Sequence, residues 1–115
     1  MLSPWEVAKF TVGALEEKSA RDIKVLKTES LTVLANYFVI CTATSTTHIK
    51  TLTDEVEKIL EAKGECVRRK EGYRSGGWVL LDYGCVVVHL FLEEIRGFYN
   101  LERLWGDAEV VTIDS

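Results

Sequence analysis

Paired cysteines, long apolar segments and an excess of positive charge are all missing from this 115-residue sequence. Its three cysteines, Cys41, Cys66 and Cys85, form no CxxC pair and lie among apolar residues, so we expect buried thiols in a reducing compartment. The longest apolar stretch, residues 85–92, is too short to cross a bilayer, and the first residues do not resemble a signal peptide. We therefore expect a soluble, cytoplasmic protein with no membrane partner.

The charge balance narrows the classes of partner. Lys and Arg number 14 against 18 Asp and Glu, which gives a formal net charge of −4. A protein that binds nucleic acid over a broad surface needs clustered Lys and Arg side chains. The net negative charge therefore argues against a nucleic-acid-binding protein of this kind. Hydrophobic residues at 47% are typical of a globular chain, and the length suits one domain.

Hydrophobic periodicity predicts the order α-β-β-α-β-β-β-α, a single α/β domain with a mixed five-stranded sheet packed with helices. Ser3, Pro4 and Glu6 form a capping box for the first helix, Thr44 and Ser45 precede the second helix, and Gly64 ends it. Strands are predicted at 22–27, 37–41, 66–69, 78–83 and 86–92, with loops at 28–35 and 72–77 and a last helix from Glu93 to Gly106. Residues 1–108 form the domain, and residues 109–115 an acidic C-terminal tail.

Catalytic motifs do not emerge from the sequence. The glycines at 72–77 lead into a strand and therefore fit neither a phosphate-binding loop nor a nucleophile elbow. His48 and His89 have no partners at metal-ligand spacing, and we expect His89 to be a packed side chain with one nitrogen satisfied. Nucleotidyl transferases need an Asp-x-Asp pair on one strand to hold magnesium, and this chain has none. We predict no catalytic residue, metal or cofactor.

Two sets of residues are candidates for binding. Alternation along residues 78–83 places Trp78, Leu80 and Asp82 on one strand face and Tyr83 on the other, with Tyr99 further along the chain. Aromatic anchors ringed by charge are typical of protein interfaces, although Trp78 filling the core is an equally weighted alternative. The second set is a small basic cluster suited to RNA contact, comprising Arg68, Arg69, Lys70 and Arg74.

Several strings together resemble the ribosomal silencing factor family (RsfS, or Iojap). They are Trp-Val-Leu-Leu-Asp-Tyr-Gly at 78–84 and Tyr-Asn-Leu-Glu-Arg-Leu-Trp-Gly-Asp at 99–107, supported by Tyr-Phe-Val-Ile-Cys at 37–41. The resemblance extends from about residue 14 to 108. This chain departs from the family pattern at Cys85 and Asn36, where the family commonly has Asp.

The resemblance implies a nucleotidyl-transferase-like fold without the catalytic motif, and a protein that is not an enzyme. Such a protein would bind the fourteenth protein of the large ribosomal subunit, on the face that meets the small subunit, and would block subunit joining and so repress translation. A role in large-subunit assembly is a further implication. Family members can form homodimers, and the sequence leaves the oligomeric state open.

The implied contact residues are the strand residues Trp78, Leu80, Asp82 and Tyr83, with Tyr99 and Arg103 as the next candidates. Two other functions stay open from the residues themselves. One is a residual nucleotidyl transferase or other nucleotide-binding enzyme. The other is a ribosomal RNA binder that uses the basic cluster, with RNA contact secondary to protein contact.

Overall fold

The structure, a computed structural model, describes residues 2–27, 36–74 and 77–94, together with the backbone of residues 109–111. Its single α/β domain and all five predicted strands confirm the expected fold class. The elements in the described segments are α1 (Pro4–Glu17), β1 (Arg21–Lys27), β2 (Tyr37–Ala43), α2 (Thr46–Ala62), β3 (Arg69–Glu71), β4 (Trp78–Asp82), β5 (Val86–Leu92) and β6 (Glu109–Val111).

The strands form one mixed sheet in the order β3-β4-β5-β2-β1-β6. Only the central pair β2 and β5 runs parallel, whereas the four other neighbouring pairs are antiparallel. The predicted hairpin between β4 and β5 is present, and α2 carries the chain from β2 to the far edge of the sheet. This topology leaves β4 as the strand next to an edge, covered by only three residues of β3.

Both helix starts follow the capping chemistry expected from the sequence. The backbone N–H of Glu6 donates to Ser3 Oγ, and the Ser3 N–H donates back to the Glu6 carboxylate, which completes the capping box. Ser45 caps α2 by accepting a hydrogen bond from the His48 N–H at 3.0 Å. Gly64 ends α2 with a φ of +86°, the left-handed conformation that favours glycine.

The main core lies between the helices and one face of the sheet. Alternate strand residues point into it, so Val79 and Leu81 of β4 are fully buried beside Leu52 and Val56 of α2. A second, smaller cluster lies on the other face of the sheet, where Leu26, Ile40 and Phe91 are buried with Phe38 and Trp78 packed against them.

Three sequence predictions need correction. Residues 109–111, assigned to an acidic tail, form β6, whose β-branched residues pair antiparallel with the open edge of β1. The strand predicted at 66–69 begins instead at Arg69, because the chain at Glu65 is still bonded to the last turn of α2. Cys41 is buried as expected, but Cys66 is exposed, so only part of the thiol prediction is right.

Two further predictions, the loop at 28–35 and nearly all of the last helix with Tyr99 and Arg103, lie outside the described residues.

Candidate protein-binding site

The first candidate surface is the side of β4 that faces away from α1 and α2, which we term the Trp78 face. It consists of Trp78, Leu80 and Asp82, and all three side chains are half-buried. The intervening residues Val79 and Leu81 are fully buried against the helices. The expected sharing of one face by the three residues is therefore observed, and Trp78 does not fill the helix-packed core.

Trp78 is held in place from two sides. Its ring stacks on Phe91, with centroids 4.9 Å apart and planes inclined by 29°. Its indole N–H donates to Nδ1 of His89 at 3.2 Å. A partly exposed tryptophan whose orientation is already fixed loses little conformational freedom when a partner covers it.

His89 lies beneath Trp78 with 5% of its surface exposed. Burial lowers the pKa of His89 to about 4, so the ring is neutral near pH 7. Because Nδ1 accepts the indole hydrogen bond, Nε2 carries the proton, and it has no hydrogen-bond partner among the described residues. The prediction of a packed histidine with one satisfied nitrogen is confirmed.

Asp82 has a partner inside the fold. Its Oδ1 accepts a hydrogen bond from the N–H of Gly84 at 2.7 Å, which fixes the turn between β4 and β5. Gly84 has a φ of +86°, and a Cβ there would meet the guanidinium of Arg68 at 2.8 Å. The carboxylate in this apolar strand thus has a hydrogen-bond partner within the fold, and its presence does not by itself require an external partner.

Tyr83 lies on the opposite side from the Trp78 face. Its side chain joins the helix-packed core with 7% of its surface exposed, and its hydroxyl has no hydrogen-bond partner among the described residues. The structure therefore does not bring Tyr83 together with Trp78, Leu80 and Asp82, because alternation along the strand sends it toward α2.

The basic residues proposed for RNA contact do not converge. The guanidinium of Arg69 lies 3.1 Å from Glu71, and Lys70 Nζ lies 3.0 Å from Oε1 of Glu57 on α2. Arg68 packs over Gly84, while Arg74 is exposed in the following loop. Since two of the four cations already face carboxylates, the cluster offers less positive charge than the sequence predicted.

Sequence reasoning missed a contact that attaches the β3–β4 loop to α2. The Tyr73 hydroxyl donates to both carboxylate oxygens of Asp54, at 3.1 and 3.3 Å, and this hydrogen bond raises the pKa of Tyr73. Lys70 and Lys50 lie 4.5 and 5.7 Å from the centre of the Tyr73 ring. No local pattern signals a contact between residues 19 positions apart.

The Trp78 face borders a shallow cavity of about 250 Å³. Its lining residues are Glu71, Gly72, Trp78 and Leu80. Gly72 has a φ of +81°, and a Cβ there would overlap the carbonyl oxygen of Trp78. The glycine thus allows the loop to pass close to β4 beside this cavity.

Chemistry based on His48 or on a metal finds little support in the described segments. His48 Nδ1 accepts a hydrogen bond from the Thr44 N–H, and Nε2 lies 2.8 Å from the carbonyl oxygen of Lys18, so the ring ties α1 to α2. Residues 2–27, 36–74 and 77–94 hold no group of three or more metal-binding side chains. Within the same segments no helix is long and apolar enough to span a membrane.

Comparison with known proteins shows that this chain is similar to one protein family. The family model described as "Ribosomal silencing factor during starvation" matches residues 3–115. The ribosomal silencing factor RsfS of Halalkalibacterium halodurans is 35% identical over 113 residues, covering 98% of this chain and 97% of the relative. A mouse protein named "Mitochondrial assembly of ribosomal large subunit protein 1" is 34% identical over 97 residues, covering 82% of this chain and 42% of that protein.

A solved structure agrees with the sequence relatives. The crystal structure of a Chromobacterium violaceum protein superposes with a TM-score of 0.89 at 35% identity, covering 99% of this chain and 92% of that one. The fold, the family match and the near-complete coverage lead to one conclusion: this chain belongs to the ribosomal silencing factor family.

Proposed function

We propose that this protein represses translation by binding the large ribosomal subunit and sterically blocking its joining with the small subunit. The contact would be made by the Trp78 face to a protein of the intersubunit surface, the fourteenth protein of the large subunit. The protein would act in the cytoplasm by occupying space rather than by catalysis. A contribution to large-subunit assembly is a related role, and the name of the mouse relative supports association with that subunit.

The observation that carries this proposal is the fixed, partly exposed Trp78 on a sheet face turned away from α1 and α2. Binding surfaces concentrate their affinity in a few rigid aromatic anchors, and Trp78 is held by Phe91 and His89 before any partner arrives. Leu80 extends the apolar area, and the adjacent cavity can receive a partner side chain. The net charge of −4 favours encounter with basic ribosomal proteins.

The test uses purified ribosomal subunits and the full chain. The wild-type protein should co-sediment with large subunits and reduce subunit joining in a light-scattering assay. Trp78→Ala should weaken large-subunit binding about 30-fold, the effect of losing about 2 kcal/mol at an interface anchor. Leu80→Glu should weaken it as well, because a charge would be buried against the partner.

Thr47→Glu is the matched control, since it adds one negative charge at an exposed position on α2. It should bind and repress like the wild type. Thermal melting must show that each variant is folded. A folded Leu80→Glu variant that blocks joining at the wild-type concentration would place the contact elsewhere, and magnesium-dependent nucleotide binding by calorimetry would favour an enzyme.

A further inference from the structure

A second pocket lies on the other side of the sheet from the Trp78 face, between the C-terminal half of α2 and residues 65–67. Its volume is about 200 Å³, and its lining residues are Glu57, Glu61, Glu65, Cys66, Val67 and Tyr83. We term it the α2 pocket. Three of these lining residues are carboxylates, and one is a buried aromatic side chain.

The way α2 ends creates this arrangement. The Gly64 N–H donates to the carbonyl of Glu61 at 3.0 Å, and the Glu65 N–H donates to the carbonyl of Leu60 at 2.8 Å. This pair of bonds reverses the chain and brings Glu65 back beside the last helical turn. Glu57 and Glu61 are one turn apart on α2, so all three carboxylates border the same opening.

The three carboxylates differ in whether they have a hydrogen-bond or ion-pair partner. Glu57 is 3.0 Å from Lys70 Nζ, and Oε1 of Glu65 accepts a long hydrogen bond of 3.3 Å from the Leu2 N–H. Glu61 is exposed, and its carboxylate has no hydrogen bond or ion pair with any described residue. Among the described residues, the Glu61 carboxylate therefore has no cation partner and keeps free acceptor oxygens.

Tyr83 supplies an independent observation. It is more than nine-tenths buried, it lines the pocket, and its hydroxyl has no hydrogen-bond partner among the described residues. An unpaired buried hydroxyl destabilises a fold, because it has lost its hydrogen bonds to water and gained none in return. Burial, followed by the proximity of Glu57, Cys66 and Glu61, raises the pKa of Tyr83, so the hydroxyl stays neutral and its oxygen can accept a hydrogen bond.

We propose that the α2 pocket binds the ammonium group of a lysine side chain from a basic partner protein. A lysine ammonium has three donors, which match one carboxylate oxygen each from Glu61 and Glu65 and the hydroxyl oxygen of Tyr83. The volume of about 200 Å³ is smaller than the roughly 300–1,000 Å³ of pockets for drug-sized ligands, so one side chain fits better than a whole small molecule. Arginine fits less well, because its planar fork prefers two oxygens of one carboxylate.

The proposal rests on the proposed function only for the source of the lysine, a protein of the large ribosomal subunit. It adds a second contact on the helix side, and this contact would make binding depend on two faces of the sheet. Glu61→Gln and Tyr83→Phe should each weaken large-subunit binding about five- to tenfold. Glu17→Gln, the same charge change on an exposed position of α1, should leave binding unchanged.

Stability measurements separate a binding role of Tyr83 from a structural one. Because Tyr83→Phe removes an unpaired hydroxyl and keeps the ring, the Tm of the free protein should stay unchanged or rise. A variant that is at least as stable but binds more weakly has lost a contact with the partner. Wild-type affinity in both Glu61→Gln and Tyr83→Phe would overturn the proposal.

A second experiment does not depend on the ribosome. Nα-acetyl-lysine methylamide, titrated at millimolar concentration, should shift the amide NMR signals of residues 61–67 in the wild type but not in Glu61→Gln. The norleucine analogue, which has no ammonium, should cause no shift. Absence of the lysine-dependent shift would refute lysine binding in the α2 pocket, even if the Trp78 face binds the ribosome. Micromolar binding of spermidine would instead identify a free polyamine as the ligand and overturn the choice of a protein lysine.

Discussion

Lowering the pH should destabilise this protein through His89 before most carboxylates are protonated. In the folded protein the imidazole is almost fully buried beneath Trp78 and near Phe38, whose ring centroid is 5.0 Å away. Burial lowers the pKa of His89 to about 4, whereas the unfolded chain has the ordinary value of about 6.5. The unfolded state therefore binds a proton at pH values where the folded state does not.

The sign and size of the effect follow from this difference. Above pH 6.5 the imidazole is neutral in both states and contributes no pH dependence. As the pH falls from 6.5 toward 4, protonation stabilises only the unfolded chain, so the free energy of unfolding should drop by about 2 to 3 kcal/mol by pH 4.5. Below pH 4 the folded protein is protonated as well, and no further loss comes from this group.

Urea denaturation of the wild type and His89→Phe at pH 7.5, 6.5, 5.5 and 4.5 measures this contribution. The variant starts from a lower stability, because the indole N–H of Trp78 loses its acceptor, but its stability should decline less with falling pH. Subtracting the two profiles removes the carboxylate titrations common to both proteins. Parallel profiles would refute the argument that His89 is kept neutral by burial.

Three smaller predictions concern the turns and are measured by urea denaturation. Gly72→Ala should destabilise the fold by more than about 3 kcal/mol, because a Cβ there would overlap the carbonyl of Trp78; a loss below 1 kcal/mol would contradict this. Ser19→Gly should stabilise by about 0.5–1 kcal/mol, since Ser19 has a φ of +63°, and an unchanged or lower value would count against it. Asp82→Ala should cost about 1 kcal/mol, whereas Asp82→Asn keeps an acceptor for the Gly84 N–H and should cost less; equal losses would show that this bond is unimportant.

The sequence predicted those parts of the fold that local chemistry determines. The capping box at Ser3, the glycine stop at Gly64 and the alternation through Trp78 and Leu80 all depend on neighbours within a few residues, and all are observed. The start of β3 was predicted three residues too early. The apolar residues Cys66 and Val67 suggested a strand. They instead follow directly on the turn that ends α2 and lie before the first strand residue, Arg69.

The features that the sequence could not predict depend on contacts between residues that are far apart in the chain. The pairing of residues 109–111 with β1 joins segments more than 80 positions apart, and nothing in the sequence of this short segment identifies its neighbour. The placement of Tyr83 followed from alternation, but its unpaired hydroxyl in an acidic pocket requires the position of α2 relative to β4. The ion pair of Lys70 with Glu57 was unpredictable for the same reason, whereas Glu71 lies only two positions from its partner Arg69.

The parallel pairing of β2 with β5 has a consequence for how the chain folds. This register joins Tyr37 to Val86 and continues to Ala43 and Leu92, so every pair along it closes a loop of 49 positions. The antiparallel units on either side, β1 with β2 and β3 with β4 and β5, close much shorter loops and have a lower entropic cost. Apart from the three-residue β6, whose pairing with β1 spans more than 80 positions, the sheet thus consists of two units that close locally. Their docking along the central β2–β5 junction should limit the folding rate.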